Sequence, residues 1–284
     1  MELCNSKEIR SLLERHGFRF SKSMGQNFLI ESWVPKEIAA ASGAGQEHCV
    51  LEIGPGIGPL TEQLAKRARQ VVAVELDRSL LPVLDETMAP YSNVSIVPGD
   101  IMKISIPQFV AERFSGLTPI ACANLPYNIT TPVLTSLIDS HCFSSITVMI
   151  QREVALRICA LPGSADYGAF SVFCQYYTQP EFLFEVSPSC FLPAPKVTSA
   201  VIRLLPRPAS PAHVKDEVMF FRVVRAAFAQ RRKTLLNGLT SAFSSQYSKD
   251  ELRAMIQCCG FPEDIRGERL GISEFAVLSN QFMK

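Results

Sequence analysis

The chain has 284 residues, 47% of them hydrophobic and 19% charged, the balance of a globular protein able to bury a sizeable core. No apolar run approaches the roughly 20 residues that span a bilayer, and the opening "MELCNSKEIR" has no hydrophobic region behind its charges; neither a membrane span nor an export leader is expected, and the expected compartment is the cytoplasm. A formal net charge of +1 excludes a global electrostatic case for a polyanionic partner, so any such case has to be local.

The nine cysteines are odd in number, show no CxxC spacing and sit mostly inside apolar runs, which reads as reduced core thiols. The four histidines are scattered without metal-ligand spacing, so no metal is expected.

In "SKEIRSLLERHG" the residues Ile9, Leu12, Leu13 and His16 recur at helical spacing, predicting a short amphipathic helix with Ser6 as N-cap and Gly17 as stop. "FRFSKSMGQNFL" has no period and is expected to be an ordered loop, and "SWVPKEIAAASG" a second helix closed by Gly43. From residue 49 to about 160, the apolar runs "CVLEI", "VVAVEL", "VSIV", "PIACA" and "SITVMI" alternate with helical patterns near 59–68, 77–88, 107–115, 131–140 and 151–161. Runs that are continuous rather than alternating belong to strands buried on both faces, so the expected fold is a parallel, doubly wound α/β sheet. "DYGAFSVFCQYY", "EFLFEVSPSCF" and "TSAVIRLL" predict one more helix and two more strands extending that sheet. "PRPASPAH" at 206–213 reads as a linker, and the rest of the chain has helical periodicity throughout. The expected division is therefore 1–205 and 206–284, the second part a small all-helical domain.

"VLEIGPGIGPLTEQL" is a strand, a glycine turn and a helix start, with Gly54, Gly56 and Gly58 at alternate positions. Glycines let a backbone take positive φ and pass close to a ligand. Glu75 ends the next strand, where a carboxylate can accept the ribose hydroxyls of a nucleoside cofactor. The dinucleotide fingerprint asks for glycine five residues after the first, but Pro59 stands there, and Glu52 puts a carboxylate just before the loop. That carboxylate disfavours a pyrophosphate and suits a sulfonium and an ammonium, so the expected cofactor is S-adenosylmethionine. Asp100, after the third strand, is placed for the exocyclic amine of its adenine.

"NLPY" at 124–127 ends a fourth strand. Adenine N6 is a poor nucleophile, and methylating it requires acceptors for both its N–H groups. Asn124 offers a side-chain carbonyl, Leu125 or Pro126 a backbone carbonyl, and Tyr127 a ring on which a flipped base can stack. In "FFRVVRAAFAQRRKTLLNGL" the cations Arg222, Arg225, Arg231, Arg232 and Lys233 meet no acidic residue, a pattern suited to binding phosphates. Arg19 and Lys22 are expected near the substrate mouth.

"GQNFL", "EIGPGIGPLT", "VELD", "GD", "NLPYNITTP", "QREVA", "FLPAPKVTSAV" and "FAQRRKTLLN" occur in this order, and with them nearly the whole chain resembles the ribosomal RNA small-subunit adenine dimethyltransferases of the KsgA type, also called dimethyladenosine transferases. The resemblance implies a Rossmann-like class I S-adenosylmethionine-dependent methyltransferase sheet with an all-helical C-terminal domain. It further implies cofactor contacts at Asn27, Leu29, Gly54, Gly56, Glu75, Asp100 and Asn124, of which Asn27 and Leu29 rest on the resemblance alone. It implies two methyl groups placed on each of two adjacent adenosines in a hairpin loop near the 3′ end of 16S rRNA, within the small (30S-type) subunit and late in its maturation, by a monomer. Phe191 is then a second aromatic against the base. Met24 and Ala169 depart from the residues frequent in the family. A macrolide-resistance methylase of large-subunit rRNA is the competing enzyme, disfavoured by "FLPAPKV" and "QRRKTLLN". A ribosome-assembly factor without turnover is the competing non-enzyme, disfavoured by the intact Glu75, Asp100 and "NLPY".

Overall fold

A computed structural model describes residues 1–18, 26–114, 116–230 and 232–282. The first helix, α1 (Ser6–Arg15), starts one residue earlier than its spacing suggests. Asn5, not Ser6, is the N-cap: its Oδ1 accepts the N–H groups of Lys7 at 3.0 Å and Glu8 at 3.4 Å, and Ser6 becomes the first helical residue. Within "FRFSKSMGQNFL" the described end is not loop throughout, because Phe28–Leu29 forms a two-residue strand, β1. Met24, Arg19 and Lys22 lie outside the described residues.

Next come α2 (Trp33–Ala41), β2 (His48–Ile53), α3 (Pro59–Ala65), β3 (Gln70–Glu75), α4 (Leu81–Met88), β4 (Val94–Pro98), α5 (Ile106–Arg113), β5 (Thr118–Asn124), α6 (Thr130–Asp139), β6 (Ile146–Gln151) and α7 (Arg152–Cys159). The chain continues through α8 (Ala169–Tyr177), β7 (Thr178–Val186), β8 (Phe191–Leu192) and β9 (Ser199–Pro206). The last helices are α9 (Glu217–Phe228), α10 (Leu235–Phe243), α11 (Lys249–Cys258) and α12 (Ile272–Ser279).

Among the described residues a seven-stranded sheet runs in the order β4-β3-β2-β5-β6-β9-β7. The pairs β3–β4, β2–β3, β2–β5 and β5–β6 are parallel, and β9 lies antiparallel on β6. β2 and β3 are buried at every position but their first, which is why their runs are apolar throughout. The order reverses at β2: the chain winds out to β3 and β4, then returns to add β5 on the other side. A crevice at the carboxyl ends of the strands follows from that reversal. β1 and β8 form a separate antiparallel ladder, pairing Phe28 with Leu192 and Leu29 with Phe191.

The chain divides into two compact units, residues 1–155 with 180–206, and residues 156–179 with 207–284. The second unit therefore takes in a segment that precedes the linker. The reason is apolar: Tyr167, Val172 and Tyr176 join Phe220, Val223 and Val224 of α9, Leu239 and Phe243 of α10, Ile256 of α11 and Phe275 of α12 in one core. The Tyr176 and Tyr177 hydroxyls both donate to the Glu217 carboxylate at 3.0 Å.

Two helices of this unit approach so closely that a side chain is excluded between them. A Cβ at Gly238 of α10 would stand 2.5 Å from the Ala226 carbonyl oxygen of α9. Helix propensity favours alanine over glycine by about 1 kcal/mol, but overpacking against a helix backbone costs about 1–3 kcal/mol. Gly238→Ala should therefore destabilise by up to about 2 kcal/mol in urea denaturation, while Ser241→Ala on the exposed side of α10 should not. A midpoint raised by about the 1 kcal/mol of the propensity gain would show that α9 and α10 can separate at no cost.

Candidate active site

The glycine loop leaves β2 at Ile53. Gly54 (φ 67°), Gly56 (φ 63°) and Gly58 (φ 94°) all lie in the left-handed region, and a Cβ on Gly56 would press on the Phe28 ring at 3.3 Å. The Gly54 N–H donates to the Val74 carbonyl at 2.9 Å, tying the loop to β3. Glu75, the last residue of β3, completes the tie: its Oε2 accepts the Gly56 N–H at 3.3 Å and its Oε1 the Asp77 N–H at 2.7 Å. It is buried, not a solvated cap. Burial pushes its carboxyl above the usual range, and the Asp77 and Gly56 N–H groups oppose that shift.

Asp100 stands two residues beyond β4 and caps a 3-10 turn, Ile101–Lys103, its Oδ1 accepting the Met102 N–H at 3.0 Å. At the end of β5, Asn124 is held by its backbone in register with Met149. Among the described residues its side-chain amide makes no hydrogen bond. The two backbone carbonyls after it are not equivalent. The Pro126 carbonyl accepts the Ile129 N–H and the Thr130 hydroxyl, each at 3.2 Å, whereas the Leu125 carbonyl receives no donor among the described residues. Tyr127 is half-buried, and its hydroxyl lies 2.6 Å from the Ser199 hydroxyl.

Asn27, Leu29, Gly54, Gly56, Glu75, Asp100, Asn124, Leu125, Pro126, Tyr127 and Phe191 line a single cleft. Leu29 and Phe191 are brought together by the β1–β8 ladder. Sequence reasoning missed several residues of the same wall. Gln26 donates its side-chain N–H to Asp77 Oδ2 at 2.6 Å, and Leu76, 51% exposed between Glu75 and Asp77, offers an apolar face to the cleft. The signal for Leu76 was present in "VELD", a large apolar residue just past a strand end and flanked by two acids.

Glu52 also lines the cleft and tests whether a cationic ligand fits it. It is 1% exposed, and its Oε2 has no hydrogen-bond partner among the described residues. Burial pushes its carboxyl up to about 8, and the charge of Glu75 adds to that shift. A buried carboxyl with a bare oxygen is unfavourable alone and favourable beside a positive charge. The donor set therefore fits a ligand carrying a sulfonium and an ammonium.

The basic residues of α9 and the loop after it divide into different kinds. The Arg222 guanidinium lies 4.3 Å over the Phe243 ring and donates to Gln246 Oε1 at 3.1 Å and the Ala242 carbonyl at 3.3 Å. It fastens α9 to the end of α10. Arg225, Arg232 and Lys233 are exposed, and Arg231 lies outside the described residues.

The raised carboxyl pKa of Glu52 has a sign that can be measured on the free protein. Because its folded value of about 8 exceeds the ordinary 4.5, its contribution to stability is intact below about pH 4.5 and is lost as the pH rises towards 8. Glu52→Gln, which cannot ionise, should gain on the native chain by a few kcal/mol between pH 5 and pH 8, on the scale of about 1.4 kcal/mol per pH unit, in urea denaturation at the two values. A pH-independent difference would place an ionised carboxylate at this site.

With the geometry in hand, comparisons identify the chain's relatives. The family model for ribosomal RNA adenine dimethylases matches residues 17–257. The ribosomal RNA small subunit methyltransferase A of Geobacillus sp. (strain WCH70) is 46% identical over 282 residues, covering 98% of this chain and 97% of its own length. The protein of the same name from Bacillus mycoides (strain KBAB4) is 46% identical over 283 residues, with the same coverage of 98% and 97%. Two crystal structures share the fold: a dimethyladenosine transferase from Plasmodium falciparum (TM-score 0.77, 22% identity, 90% of this chain and 97% of that one) and the 23S rRNA methyltransferase ErmE (TM-score 0.69, 24% identity, 91% and 100%). A family match over most of the chain and near-half identity at full length leave one assignment: the chain is a member of the ribosomal RNA adenine dimethylase family.

Proposed function

We propose that the chain dimethylates N6 of two adjacent adenosines in a hairpin loop near the 3′ end of 16S rRNA, within the small ribosomal subunit, using S-adenosylmethionine. The observation that carries this reading is the unpartnered Asn124 amide, which shares one cleft with Glu75, Asp100 and the glycine loop. The relatives' name, small subunit methyltransferase, supports the choice of subunit.

When bound, S-adenosylmethionine supplies an electrophilic methyl group on a sulfonium sulfur. Glu75 accepts the ribose hydroxyls through lone pairs left free by its two N–H donors, and the second oxygen of Asp100 accepts the adenine amine. Asn27, Leu29 and the Gly54–Gly56 backbone form the remaining wall, and Leu76 lies against the flat ring. Glu52 ionises against the positive charges and orients the reacting end.

On the acceptor side, Asn124 Oδ1 and the Leu125 carbonyl take the two N–H groups of a flipped-out adenosine. The Pro126 carbonyl is already occupied, which narrows the acceptor pair to these two. Holding both N–H groups favours a more tetrahedral N6 whose lone pair faces the methyl carbon, so the rate comes from positioning and preorganised charge. Tyr127 stacks on the base and Phe191 closes the apolar wall. No side chain is needed as general base, because the alkylated N6 loses its proton readily to water. The sheet unit thus carries the chemistry, and the helical unit presents the exposed Arg225, Arg232 and Lys233 to rRNA phosphates; Arg231 joins them by its place in the sequence run alone.

The decisive experiment incubates the protein with under-methylated small subunits and labelled donor, followed by mass spectrometry of the rRNA. N6,N6-dimethyladenosine at two adjacent loop positions is expected; its absence would overturn the reading. Asn124→Ala should lower turnover by about a hundredfold or more with subunit binding changed only a few-fold, and near-normal methylation would remove Asn124 from the chemistry. Replacing Arg231, Arg232 and Lys233 together by alanine should weaken subunit binding and reduce the slope of log affinity against log salt by about one for each phosphate no longer neutralised. An unchanged slope would return the cluster to ordinary solvated surface.

A further inference from the structure

The reaction just proposed accounts for the ring of Tyr127 but not for its hydroxyl. That hydroxyl lies 2.6 Å from Ser199 Oγ, across 72 residues of sequence, and among the described residues this is the side-chain hydrogen bond of both groups. Ser199 is fully buried at the first position of β9, where a bare hydroxyl would be unfavourable without a partner. Its backbone is fixed twice: it stands opposite Gln151 in the β6–β9 register, and the carbonyl of the preceding Thr198 accepts the Arg152 N–H at 3.0 Å. Tyr127 sits differently. Its backbone belongs to a 3-10 turn, Tyr127–Ile129, pinned through the Pro126 carbonyl, but pinning a backbone leaves the ring free to turn about its side-chain bonds. The rigid serine supplies the missing constraint at the far end of the ring.

We propose that Ser199 is a positioning residue for Tyr127, holding the ring in the plane on which the target base stacks, and that it acts most strongly on the second methyl transfer to each adenosine. The inference rests on the dimethylation reading above. The asymmetry between the transfers follows from the acceptor pair. In the first transfer N6 carries two N–H groups, which Asn124 Oδ1 and the Leu125 carbonyl can both hold. After it, N6 carries one N–H and one methyl group, so one of those hydrogen bonds no longer exists. The orientation of the base then depends more on stacking, and stacking on the fixed plane of the Tyr127 ring. Small rotations of a reacting group away from the near-attack geometry lower rates steeply.

The test is a double-mutant cycle on the full chain with under-methylated small subunits: Ser199→Ala, Tyr127→Phe and both together, each read by turnover, KM for the subunit and the ratio of N6-monomethyl- to N6,N6-dimethyladenosine. Each single variant should lower kcat roughly three- to tenfold, the range expected for one lost hydrogen bond, with KM within about twofold. Each should also make monomethyladenosine accumulate, and the double variant should be no worse than the poorer single one, since all three lack the same bond. A native product ratio in both single variants, or additive losses in the double variant, would overturn the proposal. Tyr127→Phe keeps the ring and decides the matter by itself should Ser199→Ala fail to fold. Failure of the native chain to methylate at all would sink the functional reading instead, whereas native dimethylation with an unmoved ratio in the variants would sink this inference alone.

Discussion

The cleft depends on one constraint, the position of β2 between β3 and β5. Parallel strands must each be followed by a crossover, so the chain leaves every strand at the same edge of the sheet. Where the winding reverses, the crossovers diverge and a crevice opens. Gly54, Glu75, Asp100 and Asn124 follow four successive strands, yet they meet because each stands at or just past a carboxyl end on that edge. Attraction among their side chains does not bring these groups together, and burial disfavours the charged forms of the neighbouring Glu52 and Glu75. The ladder, made of buried Val, Ile, Leu and Ala, provides the stabilisation that holds these buried carboxyls at one edge.

Much of this was readable in the sequence because it is written locally. A glycine loop between a strand and a helix, an acid at the next strand end and "NLPY" at another each depend on neighbours within a few residues, and the sheet then assembles them in register. What escaped was set either by partners far along the chain or by a local choice of backbone conformation. Ser6 and Asn5 are both good caps, and only the extended backbone at Asn5 decides between them. Nothing near Phe28–Leu29 announces a strand, since its partner lies more than 160 residues later. The partner of the Tyr127 hydroxyl lies 72 residues on, whereas the Pro126 carbonyl is occupied by its own turn, through Ile129 and Thr130.

The cations of α9 show how a charge pattern misleads at single-residue resolution. Arg222 and Arg225 share spacing, charge and helix, yet Arg222 rests on the Phe243 ring and caps backbone and side-chain oxygens near the end of α10, while Arg225 stands exposed. An arginine on an aromatic face contributes packing as well as charge. Its neighbour sets its role, not its place in a run of cations. In the same unit the chain passes the Ala226 and Ala227 carbonyls of α9 so closely at Gly238 and Gly267 that a Cβ at either would stand 2.5 Å or 2.7 Å from a carbonyl oxygen.

The two-residue ladder between β1 and β8 carries a liability out of proportion to its length. Strand side chains alternate in direction, so a slip of one position turns every residue to the other face. Here the ladder pairs Leu29 with Phe191, and both line the cleft. A deletion or insertion beside Phe28–Leu29 that shifted this register by one would turn Leu29 away from the cleft and leave Phe191 without its partner. Length variation in the chain on either side of Phe28–Leu29 is therefore restrained by geometry at residue 191, a site remote in sequence and adjacent in space.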